Sequence, residues 1–178
     1  MKKVLVISTS LRNNSNSEIL ANAFKDGAIE AGHSVEFVSL KNKNISFCKG
    51  CFACQKTKKC VINDDANEIT DKIEKADVIV WATPIYYYEM SGQMKVMIDR
   101  ANSLYVRDYK FKEVYLLAVA ADDDPNTPNR AAEGCQGWID CFDGVVLKKV
   151  LFAGGINDAA AIKGSDILNE AFELGKSV

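Results

Sequence analysis

The sequence predicts an α/β domain in three layers, a doubly wound, five-stranded parallel sheet covered by helices on both faces. Three observations point there. Short, wholly apolar runs recur along the chain, and segments with helical spacing separate them. No internal repeat, low-complexity block or linker interrupts that alternation over 178 residues. The length suits a single domain, residues 1–178, with a cysteine-rich insertion at 45–63.

The first strand is the run Val4, Leu5, Val6 and Ile7, too short for an amphipathic helix and right for a strand buried on both faces. It breaks into a polar stretch, Ser8 to Ser17, and a helix follows over about Asn16 to Ala31, with Leu20, Phe24 and Gly27 on one face and Gly32 as its stop. Ser34 to Leu40 reads as the second strand. Beyond a polar turn and the cysteines, Asp64 or Asp65 caps a helix carrying Ile69, Ile73 and Ala76. Val78 to Ala82 is a central strand that ends in a loop, Thr83 to Tyr88. Ser91 caps a helix bearing Met94, Met97, Ile98 and Ala101. Val114 to Ala121 is the fourth strand, broken by Asp122-Asp123-Asp124-Pro125, and a helix with Ala131, Cys135, Trp138, Ile139 and Phe142 follows. Val145 to Phe152 and Ser165 to Gly175 complete the set as strand and helix. Right-handed crossovers leave two common strand orders, 2-1-3-4-5 and the dinucleotide-binding one.

Composition narrows the function. A net charge of −2 gives no electrostatic case for nucleic acid or an anionic membrane. No apolar stretch approaches the ~20 residues of a membrane span, and the start of the chain leads into a buried strand rather than a cleaved signal. A cytoplasmic protein is expected. In a reducing compartment its six cysteines read as metal ligands, reactive thiols or core residues rather than a disulfide framework.

In a doubly wound sheet, ligands sit beyond the carboxyl ends of the strands. Three loops should meet there: Thr9–Ser17, Thr83–Tyr88 and Ala121–Pro125. Strand, polar loop and helix start form an arrangement that holds a phosphate, with free backbone N–H groups, several hydroxyls and the guanidinium of Arg12. Ser15 and Glu18 also have capping-box spacing, which accounts for one hydroxyl without a ligand. The loop has neither G-x-G-x-x-G nor the G-K-[ST] of a triphosphatase, so a single terminal phosphate fits best. The second loop adds Pro84, Ile85 and three consecutive tyrosines; aromatic rings there suit a flat heterocycle and serve equally as packing or interface residues. Together the two loops point to FMN on a flavodoxin-like sheet.

At these residues the chain resembles the flavodoxin-fold NAD(P)H-dependent FMN reductase superfamily, nearest its iron–sulfur flavoprotein branch. Ser10, Arg12, Ser15, Asn16 and Ser17 match the phosphate-binding positions of the family's first loop, while Thr9 and Leu11 depart from its Gly and Pro. Pro84-Ile85-Tyr86, Ser91-Gly92, Lys95 and Asp99-Arg100 match its second motif. The resemblance implies that Pro84, Ile85, Tyr86 and Tyr87 line the flavin ring and ribityl chain. It implies that Ala121 and Asp122 stand where the family's third loop usually carries Gly-Gly.

Cys48, Cys51, Cys54 and Cys60 form C-x2-C-x2-C-x5-C, which can surround one small inorganic centre. Four-thiolate zinc and free thiols are the other readings. By resemblance to the iron–sulfur branch the four would ligate a 4Fe-4S cluster near the flavin, with Lys49, Lys56, Lys58 and Lys59 offsetting its negative charge. Cys135 and Cys141 point to different helix faces as core or surface residues, and His33 reads as a solvated turn residue. The Asp122–Asp124 run reads as a solvated loop.

The expected function is an FMN-dependent oxidoreductase taking hydride from NAD(P)H. Its electrons pass to a small acceptor such as a flavin or quinone, or to a redox protein through the cluster. No catalytic side chain is required, because the chemistry belongs to the flavin. The alternatives are an electron carrier without NAD(P)H activity and a redox-sensing module that binds no flavin. The resemblance also implies a homodimer or homotetramer, with Tyr86–Tyr88, Met90 and Leu104–Tyr109 as contact residues.

Overall fold

Val4, Leu5, Val6 and Ile7 are each no more than 2% exposed and form the heart of β1 (Lys3–Ser8) in the computed structural model, which describes residues Met1–Val178. Along the chain follow α1 (Asn16–Glu30), β2 (Ser34–Ser39), α2 (Ala53–Thr57), α3 (Asp65–Lys75), β3 (Val78–Tyr86), β4 (Glu89–Met90), α4 (Gly92–Arg100), β5 (Glu113–Val119), α5 (Asn129–Ile139), β6 (Val146–Ala153) and α6 (Ile167–Lys176). The parallel strands lie in the order β2-β1-β3-β5-β6, which is the flavodoxin-like 2-1-3-4-5 order once the two-residue β4 is set aside.

Alternation along each strand builds two cores. Leu5, Ile7, Ile79, Trp81 and Leu116 face one side and meet residues of α3, α4 and α5. Val4, Val6, Val78, Val80 and Leu117 face the other and meet α1 and α6. Because both faces are covered, these strands read as unbroken apolar runs. On the second face two glycines let helix backbones touch. A Cβ on Gly27 would overlap the carbonyl of Phe172 in α6, and one on Gly175 would overlap the carbonyl of Phe24 in α1.

Three features depart from the sequence-based expectation. β3 does not stop at Ala82: Thr83 and Pro84 still pair with Ala118 and Val119 of β5, and Ile85 and Tyr86 pair antiparallel with β4. The connection is a two-residue turn in which Tyr87 and Tyr88 take φ of 52° and 66°. Such turns favour Asn-Gly, so a Tyr-Tyr pair sends no turn signal. His33 is not simply solvated. Its Nδ1 accepts from the Lys2 N–H at 3.1 Å, and its Nε2 lies 2.8 Å from the carbonyl of Val178, so the ring bridges two distant stretches of chain. Met90 and Leu104, expected at a subunit contact, are buried within this chain. No helix is long and apolar enough to cross a membrane.

Candidate functional site

Each loop after a central strand contributes to one cleft of about 210 Å³. Ser10, Arg12, Ser15, Asn16 and Ser17 from the first loop face Pro84, Ile85 and Tyr86 from the end of β3 and Ala121 after β5. Val119, Ala120, Ile156 and Asn157 also line it. These four carry no local signal in the sequence, because only the topology brings β5 and the segment after β6 to this rim.

The two main loops are tied together by hydroxyls. Thr9 donates from both N (2.9 Å) and Oγ1 (3.1 Å) to the carbonyl of Ala82. Its Oγ1 lies 2.9 Å from Ser91 Oγ, Thr83 Oγ1 lies 3.2 Å from the same oxygen, and Ser91 N donates to Thr83 Oγ1 at 3.0 Å. All three side chains are buried, so these bonds fix the spacing of the loops. Ser91 also caps α4 by accepting from Met94 N at 3.3 Å.

The start of α1 is formed by Ser15, whose Oγ accepts from Glu18 N at 3.4 Å. Glu18 does not close the capping box; its carboxylate accepts from Ser39 Oγ at 3.3 Å. The first bond along the helix runs from Ile19 N to Ser15 O, so the amides of Asn16 and Ser17 precede it and have no partner within the helix. Their N–H groups form the positive end of the helix dipole, a ready anion site. Arg12 donates from Nη1 to Asn157 O at 2.7 Å, which anchors the guanidinium at the rim with further N–H groups free. Asn16 has a different role from the one its position suggests. Its Nδ2 donates to Asp158 O (2.8 Å) and its Oδ1 accepts from Ile162 N (3.2 Å), so the side chain ties α1 to the segment after β6. The amides, hydroxyls and Arg12 together fit a terminal phosphate, and the exposed edge from Pro84 to Tyr86 fits a planar group.

Two expected cleft residues lie outside. The left-handed turn carries Tyr87 away from the cleft, 97% exposed. Asp122 turns into a neighbouring cavity of about 430 Å³ with Tyr88, Asp124, Asn126, Thr127, Asn129, Arg130 and Glu133.

The cysteines correct a further expectation. Cys48, Cys51, Cys54 and Cys60 line a cavity of about 420 Å³, joined there by Cys141, yet no three acidic, histidine or cysteine side chains converge closely enough to hold a metal ion. Phe52 and Lys58, both at positive φ, bracket the short α2 between Cys51 and Cys60. The residues present therefore do not form the ligand set of a 4Fe-4S cluster or a zinc ion. Arg100, part of the second sequence motif, serves this segment and not the cleft. It binds the Asp64 carboxylate, Ser46 O (2.8 Å) and Ile62 O (3.1 Å), and so holds both ends of the cysteine segment against α4. Cys135 is a core residue whose thiol burial pushes up to about 12.

The sequence profile of the NADPH-dependent FMN reductase family matches residues 2–157. An iron-sulfur flavoprotein of Methanocaldococcus jannaschii is 37% identical over 102 residues, 57% of this chain and 53% of that protein, so the match spans about half of the relative's length. The iron-sulfur flavoprotein of Methanosarcina thermophila is 29% identical over 155 residues, 86% of this chain and 81% of its own. Among solved structures, an azoreductase from Bacillus anthracis superposes with a TM-score of 0.74 over 100% of both chains at 17% identity. An NAD(P)H:quinone oxidoreductase from Methanothermobacter marburgensis gives 0.70 over 98% of each at 19% identity. At these identities the structural likeness speaks to the fold.

Proposed function

The chain belongs to the NADPH-dependent FMN reductase family, and from that premise we propose that it is an FMN-dependent oxidoreductase that accepts hydride from a nicotinamide nucleotide and passes electrons to a small acceptor. The observation that carries the reading is the single cleft in which Ser10, Arg12, Ser15, Asn16, Ser17, Pro84, Ile85, Tyr86 and Ala121 meet.

Bound FMN supplies the redox chemistry. The residues bind and orient it. The Asn16 and Ser17 amides, the Ser10 and Ser17 hydroxyls and Arg12 hold the phosphate. The cleft, at about 210 Å³, is smaller than the ~300–1,000 Å³ of enclosed small-molecule sites. It therefore has room for the phosphate and the chain beyond it, and Pro84, Ile85 and Tyr86 would hold the ring. The Thr9–Thr83–Ser91 hydroxyl network keeps the phosphate and ring ends at a fixed separation.

Two measurements test this. Fluorescence titration with FMN should give one site per chain, and anaerobic addition of NADH or NADPH to the loaded protein should bleach the flavin. Binding without bleaching by either nucleotide would make the protein an electron carrier, and no binding would remove the flavin reading. The exposed Tyr87, in the turn that follows Tyr86 at the cleft, supports a homodimer contact on that rim; a monomer in light scattering would refute it.

A further inference from the structure

Five thiols line the cavity of about 420 Å³ at the cysteine segment, and the reading of the cleft uses none of them. The other walls are largely apolar, with Phe52, Ile98, Tyr105, Trp138 and Phe142 among them. The thiols are free and do not gather as metal ligands.

Cys54 and Cys60 differ from the rest. Both are half-buried, whereas Cys48, Cys51 and Cys141 are exposed. Both also meet donor-bearing side chains from one short stretch, residues 100–102. Asn102 Nδ2 donates to Cys54 Sγ at 3.5 Å. Two residues earlier, the Arg100 guanidinium lies beside the Cys60 thiol. The Arg100 Nη atoms are taken by the Asp64 carboxylate, Ser46 O and Ile62 O, while its Nε is enclosed with no hydrogen-bond partner. A buried donor left open in this way is uncommon. A neutral thiol is a weak acceptor and a charged sulfur a far better one, so Arg100 favours any step that puts negative charge on the Cys60 sulfur. Lys49, Lys56, Lys58 and Lys59 are exposed, take part in no ion pair and act in the same sense.

The backbone divides the two further. Cys60 O accepts from Asn67 Nδ2 of α3 at 3.3 Å, and nearby Lys58 O accepts from Arg107 Nε at 2.6 Å. Cys54 sits in α2 between the left-handed residues Phe52 and Lys58. The bonds of that turn are its own, Gln55 N to Phe52 O at 3.0 Å and Thr57 Oγ1 to Ala53 O at 3.1 Å. One sulfur is thus fixed by neighbouring elements, and the other rides on a short local turn.

We propose that Cys54 and Cys60 form an oxidant-responsive dithiol, in which Cys60 attacks a hydroperoxide and Cys54 closes a disulfide. With hydrogen peroxide, the Cys60 sulfur breaks the O–O bond, becomes a sulfenic acid and releases one water. The Cys54 sulfur then attacks the Cys60 sulfur, and the S–S bond forms as a second water leaves. The peroxide gains the two electrons and two protons that the thiols lose. The proposal does not rest on the flavin cleft and holds equally in protein free of FMN.

The test treats reduced protein, with and without FMN, with one equivalent of hydrogen peroxide. Two free thiols should be lost from the six of the reduced chain, and peptide mass mapping should join Cys54 to Cys60. Dithiothreitol should restore both. In Cys54→Ser the reaction should stop at a Cys60 sulfenic acid that dimedone traps, and in Cys60→Ser the Cys54 thiol should stay reduced. A different pairing, dimedone on Cys54, or oxidation no faster at Cys60 than at the exposed Cys141 would overturn the proposal. So would anaerobic reconstitution with iron and sulfide that leaves bound iron and shields Cys54 and Cys60 from iodoacetamide, since sulfurs held by a metal are not available to each other.

Discussion

Arg100 grips Asp64 through two hydrogen bonds, Nη1 to Oδ2 at 2.6 Å and Nη2 to Oδ1 at 2.8 Å, with both side chains almost wholly removed from water. The same carboxylate accepts from Ser46 N at 2.9 Å and from Ala66 N at 3.2 Å, which starts α3. One buried pair therefore fixes a helix start and the base of the cysteine segment. Removing one partner of such a pair strands the other charge, so Asp64→Asn should destabilise the fold by about 3–5 kcal/mol. Urea unfolding at pH 7 reads this; a change under about 1 kcal/mol would show that the pair is dispensable.

The same pair sets a pH dependence. Burial raises the Asp64 carboxyl, and the hydrogen bonds from Arg100, Ser46 and Ala66 outweigh it, so its folded value lies below the ordinary range. A carboxyl lowered on folding stabilises at pH above its unfolded value and loses that contribution as pH falls through the folded one. Stability from Asp64 should therefore be full above about pH 5 and decline below about pH 4. Melting temperatures of the wild type and Asp64→Asn should converge in acid. Parallel curves down to pH 2 would exclude the linkage.

Arg12 and Asn16 sit in the same loop and should respond differently. Arg12→Ala removes a charged donor at the phosphate end and should weaken FMN binding by about 1.5–3 kcal/mol with little effect on melting. Asn16→Ala breaks two bonds to the segment after β6, so a stability loss of about 1–3 kcal/mol is expected. Fluorescence titration and thermal melts on both proteins check the contrast; identical profiles would refute the division of roles.

Gly27→Ala should destabilise, although alanine is the better helix former by about 1 kcal/mol. The added methyl would meet the α6 backbone at Phe172, where only a shift of a whole helix makes room. Overpacking of this kind costs about 1–3 kcal/mol. A stabilised variant in thermal unfolding would show that the two helices do not touch there.

Alkylation should separate the cysteines. Cys48, Cys51 and Cys141 are exposed, whereas Cys135 is buried with its thiol pushed up to about 12. Native protein treated with iodoacetamide at pH 8 should be modified at the exposed thiols and spared at Cys135. Peptide mass mapping reads the pattern, and early modification of Cys135 would mean that the α5 face opens readily.

The strands were legible because both faces of the sheet are covered, so Val4–Ile7 and Val78–Ala82 needed no partner to declare themselves. The caps at Ser15, Asp64 and Ser91 were legible because a cap is a local bond. What failed depended on distant chain. The extension of β3 through Tyr86 exists only because β5 and β4 lie beside it. His33 acquires its role from Lys2 and Val178, which no nearby residue announces. The cysteine spacing brings four thiols near one another in sequence, but whether they converge is decided by α2 and by Arg100, some forty residues further on. Asp122 likewise matched a position in the third loop, yet Gly155 and Asp124 hold it so that its carboxylate faces the adjoining cavity.

Asn16 reaches across to Asp158 and Ile162, and Ala160 N closes the link by donating to Asn14 O. The anion cradle after β1 is thus propped by residues translated 142 to 146 positions later. A polypeptide emerging from the ribosome would have made its first loop long before that prop existed, so cofactor capture would wait for the segment after β6. Chains stalled before residue 157 should then leave FMN free, and retention by such stalled chains would show that the prop is ornamental.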